Sequence, residues 1–156
     1  KQKTAYEIRP RDWSSDVCSS DLGDGSYGMN FCLPRLDQAL SALLIDLKER
    51  GMLKNTLVVV TGEFGRTPNI LTQLPPGRQH WPACFSSIMA GAGIAGGQVY
   101  GKTDKHGGYV SHNPVRPEEF AATIYHALDV PLNAPQNNSG ISLPLTTGKP
   151  VMDLFG

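Results

Sequence analysis

Two short clusters carry the side chains best suited to chemistry. The first is Thr61-Gly62-Glu63-Phe64-Gly65-Arg66-Thr67-Pro68, and the second, further along, is Arg78-Gln79-His80-Trp81-Pro82. A carboxylate can ligate a hard cation, and a nearby guanidinium can grip the oxygens of an anion with paired hydrogen bonds. An imidazole adds a metal ligand or a proton carrier that works near neutral pH. Each side chain also has a plainer reading. Glu63 is either a metal ligand or a carboxylate that accepts backbone N–H groups or pairs with Arg66. His80 is either a ligand or a half-buried ring packed beside Trp81. Arg66 either clamps a substrate anion or serves as a structural partner of Glu63, and Arg78 shares the anion-binding reading.

These residues can act together only if the chain delivers both clusters to one edge of a sheet. Leu33, Leu36, Leu40, Leu43, Leu44 and Leu47 recur at helical spacing, which predicts a helix over residues 33–50. Pro34 suits its first turn, Lys48 and Arg50 suit the negative end of its dipole, and Gly51 suits the stop. The run Leu57-Val58-Val59-Val60 then reads as a strand buried on both faces, as in a parallel sheet. Ligands of open α/β sheets bind beyond the carboxyl ends of strands, where the Glu63 cluster would lie. Residues 61–82 read as loop, 83–90 as a second core strand, 91–97 as a turn and 101–116 as a long irregular stretch. Pro117, Glu118 and Glu119 open a second helix over residues 117–128, with Phe120, Ile124 and Leu128 on one face. Residues 133–156 read as loop with room for one short edge strand. The fold class expected is therefore α/β with a mostly parallel sheet.

Gly91-Ala92-Gly93-Ile94-Ala95-Gly96 satisfies a dinucleotide-binding spacing, but no helix opens after it and no acidic strand end follows, so it reads as a turn. Asp104, His106 and His112 could line a site mouth, but read better as solvated loop residues. The chain has 14 basic and 14 acidic side chains, which gives no electrostatic case for nucleic acid or an anionic membrane surface. No apolar run is long enough for a membrane helix. The 3 cysteines are too few and scattered for a disulfide scaffold or a Cys-based zinc site.

Residues 1–22 differ from the rest. They lack helical or strand periodicity, and back-translated they resemble sequencing-adapter DNA. Lys1 to Ile8 fits a flow-cell adapter, Asp12 to Leu22 fits a read-primer site, and the gap between them has room for a barcode. The expectation is that residues 1–22 are non-native and disordered, and that the gene was cut at that junction.

LKERGMLKNTLVVVTGEFGRTP resembles the sulfatase and alkaline-phosphatase segment in which a helix and buried strand lead to a metal-binding Asp-His-Gly or Asp-Asn-Gly. GRQHWPACFSSIMAGAGI is similar to a later segment, where a metal-binding His precedes a strand, and PVRPEEFAATIYHALDVPL to the helix near the end of sulfatases. With the closing GKPVMDLF, the combination resembles the bacterial family catalogued as domain of unknown function 1501. The resemblance implies that residues 23–156 are the C-terminal part of an alkaline-phosphatase-like three-layer domain, with the nucleophile in a missing N-terminal half. By position it implies Glu63 and His80 as ligands of a divalent metal (zinc, calcium or magnesium). It further implies Arg66 and Arg78 against a small anionic ester, hydrolysis of sulfate or phosphate esters by the intact protein, and export to the periplasm. Phe64 departs from the pattern, because it stands where a second ligand belongs. That favours the alternative of a non-catalytic envelope or binding protein that keeps the fold.

Overall fold

The computed structural model describes residues 29–70, 77–133 and 144–156. Residues 1–28, 71–76 and 134–143 lie outside them, and with them the reading of residues 1–22 and parts of the stretches 61–82 and 133–156. Helix α1 spans Met29–Glu49, beginning earlier than the leucine pattern predicts and carrying Pro34 inside it. Proline forfeits one backbone hydrogen bond there, and no glycine or second proline lies between Met29 and Pro34 to force a stop. The helix ends as expected at Gly51, whose φ of 68° allows a two-bond cap. Gly51 N–H donates to the Lys48 carbonyl at 3.0 Å, and Met52 N–H to Leu47 at 2.8 Å. A 3-10 turn at Leu53–Asn55 leads into β1, Val58–Val60.

The next strands are nested. β1 pairs with β4, Ile88–Ala90, and between them β2, Gly65–Arg66, pairs with β3, His80–Trp81. A separate ladder joins β5, Lys102–Thr103, to β6, Val110–His112, with an irregular register at β5. Helix α2, Pro117–Ala127, matches its predicted span to within a residue. The protein thus mixes helices with small two-stranded sheets, and every pairing among the described residues is antiparallel.

The mostly parallel sheet expected from the valine run is not among these pairings. A parallel partner requires a crossover, usually a helix, whereas β1 and β4 are joined through the β2–β3 ladder and return antiparallel. β1 is accordingly half-buried along its length. The second strand is shorter than residues 83–90 because Pro82 and Ala83 form a turn. The predicted glycine turn is present: Gly91, Ala92 and Gly93 all have positive φ, and a side chain on Gly91 would collide with the Thr56 and Leu53 carbonyls.

Around α2 the packing is closest. Ala122 and Thr123 are buried, and the closing segment lies across them. The Thr123 hydroxyl donates to the Glu119 carbonyl at 2.7 Å and accepts from Val151 N–H at 2.9 Å. Thr146 donates to the Glu118 carbonyl at 2.7 Å, and Gly148 passes so near the Glu118 backbone that a Cβ there would overlap it. Residues beyond Gly148 form a 3-10 turn at Met152–Leu154 and a bridge from Phe155 to Ile94.

Candidate anion-binding ladder

The short ladder β2–β3 positions most of the candidate residues. Its register sets Arg66 opposite His80 and Gly65 opposite Trp81. Directly opposed residues of an antiparallel pair project to the same face, so the guanidinium and the imidazole share one side. Phe64 joins them: its ring centroid lies 4.1 Å from that of His80, and the Arg66 guanidinium sits 5.8 Å from the Phe64 centroid. Arg66 is half-buried and His80 exposed. The face thus combines a positive charge, a titratable ring and an aromatic floor.

Glycine at position 65 is required for this approach. A Cβ there would run into the Cys84 carbonyl and come within 3.0 Å of the Trp81 carbonyl. The connection beyond β2 is drawn in by Thr67, whose N–H donates to the Gln79 carbonyl at 2.9 Å and whose hydroxyl accepts from Gln79 N–H at 3.1 Å. Arg78, half-buried, donates from Nη1 to the Thr67 carbonyl at 3.1 Å. Part of its guanidinium is therefore committed to closing the loop rather than to a ligand.

Glu63 stands apart from this arrangement. It lies in the bend before β2, is exposed, and makes no hydrogen bond or ion pair among the described residues. The described residues contain no group of three or more His, Cys, Asp or Glu side chains placed to hold a metal ion. Glu63 and His80 alone do not fit a metal centre: zinc takes four ligands and calcium six or more. A metal held here needs further donors.

The sequence reading missed the support behind the ladder. Asp104, read as a solvated loop residue, is half-buried. Its Oδ1 accepts from Gly108 N–H at 2.9 Å and His106 N–H at 3.1 Å, and chiefly the Gly108 bond holds its carboxyl below the usual carboxylate range. Gly108 in turn accepts the Trp81 indole N–H at 2.6 Å, and Tyr109 meets the Trp81 ring edge-on with centroids 5.5 Å apart. An Asp followed by paired glycines, Asp104-Lys105-His106-Gly107-Gly108, is the signal for such a side-chain-closed turn.

A concavity lies away from the ladder, lined by Lys54, Asn55, Gly93, His126, Asp129 and Phe155 among others, with a volume near 440 Å³. The His126 ring meets Phe155 edge-on at its wall. No helix among the described residues is long and apolar enough to cross a membrane.

The family model described as "Protein of unknown function (DUF1501)" matches residues 25–155. No curated protein and no solved structure matches the chain.

Proposed function

The chain belongs to that DUF1501 family, and on this footing we propose that its β2–β3 ladder binds the anionic group of a small sulfate or phosphate ester. The observation that supports the reading most directly is the cross-strand pair Arg66 and His80 over the Phe64 ring. A guanidinium offers two parallel N–H groups to a tetrahedral anion, and an imidazole beside it adds a third donor when protonated. Partial burial of Arg66 strengthens such an interaction relative to a fully solvated arginine. Arg78 contributes by holding the loop ends through the Thr67 carbonyl.

The wider setting proposed is an alkaline-phosphatase-like α/β domain in which this part supplies the anion-binding side of an ester hydrolase. Its support is the order of the sequence motifs. There, Arg66 and His80 would offset charge that builds on the transferred group. The second reading is a binding protein without catalysis, and the Phe64 ring stacked on His80 favours it, because an aromatic stands where the hydrolase pattern has a ligand.

Titration of the full chain with inorganic phosphate and with sulfate, followed by calorimetry, tests the anion site. Saturable binding that disappears in Arg66→Ala is expected; binding unaffected by that change would sink the proposal. A parallel zinc titration of the intact alkaline-phosphatase-like domain, with its further ligands present, separates the two readings. Stoichiometric zinc lost in Glu63→Ala favours the hydrolase, and no zinc uptake favours the binding protein.

A further inference from the structure

We propose that Asp104 is a positioning residue for the anion-binding face, acting through Gly108 and Trp81. The inference rests on the reading of that face given above. The path is a chain of short contacts. The Asp104 carboxylate holds Gly108 N–H at 2.9 Å, which turns the Gly108 carbonyl toward the Trp81 indole at 2.6 Å. The turn is closed on itself as well: Asp104 N–H donates to the Tyr109 carbonyl at 2.9 Å, and Gly107 N–H to the Asp104 carbonyl at 3.1 Å. Gly108 is buried, and a Cβ on it would come within 3.3 Å of Pro68, so this turn abuts both ends of the candidate segment.

Trp81 and His80 are neighbours in β3, and adjacent strand residues project to opposite faces. Fixing the indole on one face therefore fixes the direction of the imidazole on the other, together with its register against Arg66. A ladder of two residues per strand has few hydrogen bonds of its own to hold that orientation. The Asp104 turn supplies the anchorage that the ladder lacks. Nothing in this role requires Asp104 to touch the ligand.

The test uses the full chain with Trp13→Phe, so that Trp81 is the single indole. NMR reads the Trp81 Nε1–H resonance and the His80 ring resonances, and calorimetry reads inorganic phosphate affinity. Asp104→Ala is expected to shift both sets of resonances and to weaken phosphate about tenfold, as loss of an outer-shell partner commonly does. Asp104→Asn keeps an acceptor oxygen and is expected to restore most of both. Should Asp104→Ala fail to fold, Trp81→Phe carries the test, since it removes the indole N–H that Gly108 accepts, along with part of the ring, and should both shift His80 and weaken phosphate. Unchanged His80 resonances in the folded variant overturn the positioning role, whatever the phosphate result. Shifted resonances with no phosphate binding in the parent protein uphold the positioning role and overturn the anion site instead.

Discussion

Helices α1 and α2 stop in the same way but are held very differently. Both close with the two-bond cap around a left-handed residue, Gly51 in α1 and Asp129 in α2. At α2 the bonds run from Asp129 N–H to His126 at 3.1 Å and from Val130 N–H to Tyr125 at 2.9 Å. Beyond the caps the likeness ends. Leu33, Leu36 and Leu43 of α1 are 49%, 45% and 45% exposed, and among its described side chains only Leu47, at 8%, is buried. α2 instead lies under the closing segment, which reaches its backbone through Thr123, Thr146 and Gly148. Periodicity therefore signalled both helices, placing α2 more closely than the start of α1, but coverage is decided by what lies across a helix, which periodicity does not encode.

The contrast predicts an order of sensitivity. Gly148→Ala should be the most damaging change, about 3 kcal/mol, because a Cβ there meets the Glu118 backbone rather than a movable side chain. Urea unfolding monitored by circular dichroism measures it. Thr123→Val keeps the shape but leaves Val151 N–H without its acceptor, for an expected loss of about 2 kcal/mol. Thr123→Ser should recover much of that. Leu36→Ala in α1 should cost under about 1 kcal/mol, since little of that side chain leaves water; a loss as large as that of Thr123→Val would mean that α1 is covered after all. Asp129→Gly should raise stability by up to about 1 kcal/mol by removing a left-handed side-chain residue from the α2 cap.

Asp104 adds a dependence on pH outside both helices. Its folded-state pKa is lowered, chiefly by Gly108 N–H, so its contribution is present above the unfolded carboxylate pKa and fades as pH falls through the folded value. Melting temperatures followed from neutral to acid pH should show a decline that Asp104→Asn flattens. A decline of the same steepness in the variant would assign it to other carboxylates.

What could be read in advance followed the strength of the local signals. Pro117-Glu118-Glu119 fixed the start of α2, and Glu119 does reach back to Arg116 N–H at 2.8 Å. Gly51 and the Gly91 turn were equally clear, because positive φ has a residue-type signature. The ladders β2–β3 and β5–β6 were not, since two or three residues per strand leave no alternation to detect and the pairing is set by distant partners. The same limit applied to the site. Arg66 and His80 were selected by type and position, and the structure brings them face to face. Glu63 was selected by the same reasoning, and among the described residues nothing holds it in place. Trp81 and Asp104 were named without these roles because their importance lies in a bond between segments remote in sequence.

The nesting of one ladder inside another has a consequence for assembly. Pairing of β2 with β3 sets Arg66 across from His80 and shortens the free span that β1 and β4 must close, while pairing of β1 with β4 confines the span that holds the inner ladder. The recognition surface and the outer clasp therefore favour each other. Any ion it retains would bias that clasp toward closure, so occupancy and maturation of this region become one equilibrium.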